Sequence, residues 1–116
     1  MMYKVYIAGK ISDHGVDHLN NMHKFFVYQN ELIRLGFAPF NPAADYILGL
    51  MFGDYTYDMY FEPNAEWLKV ADAVLMIPGW EESKGALKEM DIAKRRDIPI
   101  FTNIPDLMAW AEKAGV

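Results

Sequence analysis

The stretch from Ala71 to Met90 constrains the fold more than any other part of the chain. Ala73-Val74-Leu75-Met76-Ile77 is a continuous apolar run, the pattern of a strand covered on both faces. Pro78-Gly79 ends it. Ser83 is placed to cap a helix, leaving backbone N–H groups free near Gly85 and Ala86. Such a helix start suits an anion, above all a phosphate. On that helix Glu89 has Gly85, Ala86, Ile92 and Ala93 three and four positions away, none able to offset its charge. Asp91 has Lys88, Lys94 and Arg95 at the same spacings and reads as part of a solvated face. Glu89 is therefore expected to point inward, roughly two turns from the anion site. The plainer alternatives are that it reaches water at the helix flank or pairs with a distant base.

The remaining elements follow from periodicity and punctuation. Tyr3 to Ala8 reads as a first strand, ended by Gly9, with Lys10, Ile11 and Ser12 in a loop that runs on to Gly15. The glycines and the lysine-serine pair lack P-loop spacing, so Lys10 is either solvated or a phosphate contact beside a glycine turn. A helix is expected from Asp17 or His18 to Leu35 on the stripe Met22, Phe25, Tyr28 or Gln29, Leu32 and Leu35, widened by Phe26 and Ile33. This stripe is assigned to core or dimer surface. His14 and His18 invite a metal reading, but no third ligand is placed by the spacing, and they are read as loop histidines. No metal and no cofactor is expected.

Phe37 to Phe40 gives a second strand that Pro39 confines to an edge or a bulge, and Asn41-Pro42 ends it. Ala43 to Gly53 reads as an irregular lid or short helical turn. Asp54 is expected to cap a helix from Tyr55 to Phe61, with Pro63 restarting or kinking it and Asn64 to Val70 carrying Trp67 and Leu68 towards the core. The cluster Asp54, Tyr55, Tyr57, Asp58 and Tyr60 could flank a base or sugar, or form the wall of a dimer. After the central helix, Lys84 to Arg96, come a last strand, Ile98 to Phe101, and a closing helix, Ile104 to Ala114, packed through Leu107, Met108, Trp110 and Ala111.

Strands and helices alternating in this way call for a single α/β domain over residues 1–116. The expected form is a three-layer flavodoxin- or Rossmann-like parallel sheet of about four to five strands, with helices on both faces. All strand tips then share one edge, which brings together Gly9 to Ser12, Asn41, Pro78 to Ser83 and Thr102-Asn103. Open sheets of this kind bind ligands outside the carboxyl ends of their strands, near the switch in strand order. With the first strand central, the pocket falls between the first and third loops, and Glu89 stands on its wall.

Composition narrows the function classes. Apolar residues make up 53% of 116, and 11 basic against 16 acidic residues leave a net charge of −5. That disfavours a nucleic-acid polymer as partner while leaving room for a phosphate in a local pocket. There is no cysteine, which removes thiol catalysis and thiolate metal sites together. No apolar segment approaches the ~20 residues of a membrane span and no signal core opens the chain, so a cytoplasmic protein without membrane contact is expected.

Three segments together resemble a known family. They are Tyr6-Ile7-Ala8-Gly9-Lys10-Ile11-Ser12, Phe40-Asn41-Pro42-Ala43, and Asp72-Ala73-Val74 followed by Pro78-Gly79-Trp80-Glu81-Glu82-Ser83-Lys84-Gly85-Ala86 with Glu89. The likeness is to a small family common in bacteriophage and prophage genomes and related to nucleoside 2-deoxyribosyltransferases and nucleoside 5′-monophosphate N-glycosidases. It runs from Tyr3 to about Phe101. The resemblance implies that Glu89, four residues after Gly85, attacks the anomeric carbon or stabilises a ribosyl cation. It implies that Gly9, Ser12, Ser83 and Gly85 hold sugar hydroxyls or the 5′ group. Ser83 stands where the transferases commonly carry an acidic residue, and with Lys10 and Lys84 it favours a phosphate. Asn41 and Gly79, at the strand tips, join this candidate set, and Tyr6, Tyr46, Tyr55 and Asp58 are candidate contacts to base or sugar. The chain is shorter than the transferases, so a homodimer or higher homo-oligomer that completes the pocket is implied, in a bacterial or phage-infected cell.

The expected function is cleavage or transfer at the N-glycosidic bond of a nucleoside 5′-monophosphate or deoxynucleoside. Two readings compete: a non-catalytic nucleotide-binding or sensing protein on the same scaffold, and a structural or interaction module. A dinucleotide-dependent oxidoreductase is disfavoured, since no GxGxxG follows the first strand.

Overall fold

The computed structural model describes residues 2–11 and 15–115. Four parallel strands, β1 (Lys4–Ala8), β2 (Ala38–Phe40), β3 (Ala73–Met76) and β4 (Ile100–Phe101), form one sheet in the order β2-β1-β3-β4. The register sets Tyr6 opposite Phe40 on one side and Val74 on the other. Five helices connect and flank the strands: α1 (Gly15–Arg34), α2 (Asp45–Phe52), α3 (Tyr57–Leu68), α4 (Lys84–Arg95) and α5 (Ile104–Ala114). The result is a three-layer, Rossmann-like α/β fold with helices on both faces of a parallel sheet.

Strand alternation divides the core. Val5, Ile7, Ala73 and Leu75 point to the side of α1 and α5, where Phe25, Leu32 and Leu107 meet them. Tyr6, Ala8, Val74 and Met76 point to the opposite side, against Leu68 of α3 and Ala86 and Ala93 of α4. Period-two alternation thus sends the hydroxyl-bearing Tyr6 towards α4, while the buried strand residues on the other face are aliphatic. The chain switches direction across the sheet between β1 and β3, so their tips open a crevice there.

Several local expectations are corrected. Of the two forms expected over Ala43 to Gly53 the helical one is found, extended to a two-turn α-helix, α2, over residues 45–52 and preceded by a 3-10 turn, Pro42–Ala44. Thr56, not Asp54, caps α3, its hydroxyl accepting from Met59 N at 3.3 Å. Pro63 does not divide α3, which runs unbroken from Tyr57 to Leu68. The proline cannot donate to the Met59 carbonyl one turn back, but both residues lie on the exposed side of α3. Leu68 is buried, whereas Trp67 is 60% exposed and stacks only its ring on Phe40. On α1, Met22, Phe25 and Leu32 are buried but Phe26 and Ile33 face outward, as does Leu35 just after the helix, so the buried stripe is narrower than expected. His18 belongs to α1, not to a loop, and its Nδ1 bonds the Ile11 carbonyl at 2.9 Å. β4 is a two-residue strand. Among the described residues, no helix is long and apolar enough to cross a membrane.

Candidate functional site

A cavity of about 460 Å³ lies at the carboxyl edge of the sheet, between the loop after β1, the turn before α4, and the helices α2 and α3. Its volume falls in the range of small-molecule sites. The floor is α4. Ala86, Glu89 and Ala93 form the buried stripe of this helix, and the two alanines let it approach the sheet closely. Between them Glu89 is left 7% exposed with its carboxyl lining the cavity. Its Oε2 accepts a hydrogen bond from the Tyr6 hydroxyl, and no basic side chain among the described residues is ion-paired with it. Burial pushes the Glu89 carboxyl up to about 7, against the pull of the Tyr6 bond in the other direction. Burial, then the Glu89 charge, pushes the Tyr6 hydroxyl well above its ordinary range. Burial and the Glu89 charge also raise Tyr57.

The start of α4 is built as a cap. Ser83 Oγ accepts from Ala86 N at 3.1 Å, and the Ser83 carbonyl accepts from Leu87 N at 3.0 Å. The Ala86 N–H expected to be free is therefore occupied by the serine. The N–H groups of Lys84 and Gly85, at the first two helical positions, have no intrahelical acceptor. Gly85 also makes room: a Cβ there would lie 3.2 Å from the Tyr57 hydroxyl. Lys84 and Lys88 also line the cavity, while Lys10 is bridged to Glu82 at 3.2 Å. Three lysines facing two glutamates, one of them titrating near neutrality, make this a basic region in a chain of net charge −5.

The opposite wall is aromatic. Tyr46 of α2 stacks on Tyr60 of α3, with centroids 4.6 Å apart and planes 3° from parallel. Tyr57 stacks on Phe61 at 5.6 Å, and the Lys88 ammonium lies over both rings at 5.2 and 5.5 Å. A cation so placed is held by the ring faces. The first stack depends on Gly49 of α2, since a Cβ there would meet the Tyr60 hydroxyl at 1.6 Å. Asn64, 5% exposed, completes this wall one turn beyond Phe61.

Of the residues singled out in the sequence, Glu89, Gly9, Lys10, Ser83, Lys84, Gly85 and Tyr46 line the cavity together. Tyr6 lies beneath it and reaches it only through Glu89. Gly9 has a packing task as well, because a Cβ there would come within 2.5 Å of Ile77 Cγ1. Four others stand apart. Asn41 is turned inward, accepting from Ala43 N at 2.9 Å and donating to Gln29 Oε1 at 3.0 Å. Gly79 turns the chain at φ 98° behind Lys10. Tyr55 rests on Tyr60 from outside, and Asp58 is exposed in the first turn of α3. Ser12 and His14 lie outside the described residues. From the cluster read as flanking a base or walling a dimer, Tyr57 and Tyr60 line the cavity, which also adds Pro42, Phe61, Asn64 and Lys88, residues not assigned to a site from the sequence. Their signal was present as helical spacing, since Tyr57, Phe61 and Asn64 fall at i, i+4 and i+7. Among the described residues there is no group of three or more side chains suited to hold a metal ion.

No curated protein matches the sequence. A family profile matches residues 3–102, a span that takes in every strand, the cavity and Glu89. The chain belongs to the family described as Domain of unknown function (DUF4406).

Proposed function

We propose that the cavity binds a nucleoside 5′-monophosphate or deoxynucleoside, and that the protein cleaves its N-glycosidic bond or transfers its sugar. One observation carries this reading: a carboxyl group 7% exposed, held by a phenol and not by a cation, opens on a nucleotide-sized cavity. Ionised, such a group stabilises a cation-like sugar or bonds to its anomeric carbon as the base departs. The base leaves with the bonding pair and takes up a proton, and water or a second base then accepts the sugar. Six residues of helix, roughly 9 Å, separate Ser83 from Glu89, and side chains on a helix lean back towards its N-terminus. A phosphate at the Lys84 and Gly85 N–H groups, with Lys84 beside it, therefore leaves the sugar near Glu89. The aromatic wall receives the base.

The ligand is a small molecule and not a polymer, and the place of action is the cytoplasm of a bacterial or phage-infected cell. A homodimer or higher homo-oligomer would cover the cavity, a role suited to the exposed Leu50, Met51 and Phe52 of α2.

The test is chromatography of a panel of ribo- and deoxyribonucleoside 5′-monophosphates and free nucleosides after incubation with wild type and Glu89→Gln, with and without a second base. Free base formed by wild type alone supports the glycosidase, and base exchange the transferase. Equal turnover by Glu89→Gln would remove the glutamate from the chemistry.

A second reading, binding without cleavage, is favoured by the Glu89 carboxyl titrating at about 7. A half-neutral acid donates a hydrogen bond to a ligand as readily as it attacks one. Silence in the chromatogram with a raised melting temperature for one nucleotide supports this reading.

A further inference from the structure

We infer that Asn64 is the specificity-determining residue of this cavity, the group that reads the edge of the ligand's flat ring. The inference rests on the nucleotide reading of the site and goes beyond it by naming what selects the base. Asn64 is 5% exposed and lines the cavity, yet its amide makes no hydrogen bond to another described residue. Its polar atoms are not sealed in either, since the one sealed and unpartnered side-chain atom among the described residues is Asn21 Nδ2. The amide therefore opens on the cavity.

An amide that is reached from one side only takes its hydrogen-bond partners from that side, from ligand or from ordered water. Here the satisfying group has to come from within the cavity. The neighbours say what kind of group. Phe61 and Tyr57, one and two turns away on the same face of α3, line the cavity beside Asn64 with rings stacked on each other under the Lys88 ammonium, an aromatic wall that suits a planar heterocycle. An asparagine amide presents an acceptor and a donor side by side. It pairs with a ring edge carrying the same two functions, as in the lactam of a pyrimidinedione or the amino-imine edge of an aminopyrimidine. Neither sugar nor phosphate offers that pair in one plane.

The test measures binding by calorimetry with the 5′-monophosphates of uridine, cytidine, inosine and adenosine and with ribose 5-phosphate, for wild type, Asn64→Ala and Asn64→Asp. Asn64→Ala is expected to weaken the best-bound nucleotide about tenfold, the loss of one or two hydrogen bonds, and to leave ribose 5-phosphate unchanged. Asn64→Asp, an acceptor only, is expected to shift preference towards the amino-bearing bases. Circular dichroism of each variant confirms that the fold persists. Equal loss of nucleotide and ribose 5-phosphate, or no loss of either, overturns the assignment while leaving the nucleotide site standing. Wild type that binds ribose 5-phosphate as tightly as every nucleotide overturns it too. Wild type that binds none of the five overturns the nucleotide reading itself, and the assignment with it.

Discussion

Glu89→Gln should make the protein more stable at alkaline pH, and the size of the gain follows from the site. The carboxyl loses its proton near 4.5 in the unfolded chain and at about 7 in the fold. Below 4.5 it is neutral in both states. Between those values the unfolded chain releases the proton while the folded chain keeps it, so stability falls as pH rises. Above 7 both states are ionised and the loss is complete. At 1.36 kcal/mol for each tenfold change in proton affinity, it comes to about 3 kcal/mol. Glutamine keeps the shape, still accepts from Tyr6 and does not ionise. Unfolding by urea, followed by circular dichroism from pH 4 to pH 8.5 on both proteins, isolates the effect, because every other titrating group is common to the two. The stability difference should grow by about 3 kcal/mol in favour of Glu89→Gln, equivalent to a relative melting shift on the order of 10 °C. A difference that stays flat across that range would refute the argument that burial, unrelieved by a cation, governs this carboxyl.

Tyr6→Phe removes the hydrogen bond that draws the Glu89 carboxyl down. The pH at which stability is lost should move above 7, with unfolding at pH 8 easier by about 2 kcal/mol; the same urea titration reads both. Gly9→Ala forces a methyl to within 2.5 Å of the buried Ile77 and should cost about 1–3 kcal/mol in urea unfolding, as overpacked cores do. Gly49→Ala displaces the Tyr60 hydroxyl, the free end of a side chain that can swing. It should therefore disturb the near-ultraviolet circular dichroism of the tyrosines more than the melting temperature. Ser83→Ala removes the cap on Ala86 N, with an expected loss of about 1 kcal/mol, measured by thermal unfolding.

The sheet was legible where chemistry leaves few choices. An uninterrupted run such as Ala73–Met76 has to be covered on both faces, and Pro39 cannot donate within a ladder, which confines β2 to the edge that it occupies. The inward course of Glu89 was legible because its helical neighbours include two fully buried alanines and no cation. The helix α2 was legible only as a lid or a short helical turn, because Ile47 to Phe52 is apolar on every side and carries no period to detect. Asn64 escaped for a different reason. A helix broken at Pro63 separates it from Tyr57 and Phe61, and only the continuous α3 puts the three on one face. Lys88 gave no sign because a lysine on an amphipathic helix ordinarily faces water, whereas here two rings from another helix lie beneath it.

The two margins of the sheet are both poor templates. β2 is three residues long with Pro39 at its middle, and β4 is two residues long. Neither offers the row of alternating donors and acceptors that lets a foreign strand add on, which is how exposed sheet edges seed fibrils and swapped dimers. Copies of this chain that come together must therefore meet through their helices. The exposed apolar side chains of α2, beside the cavity, can then be sticky without the risk of endless growth from strand to strand.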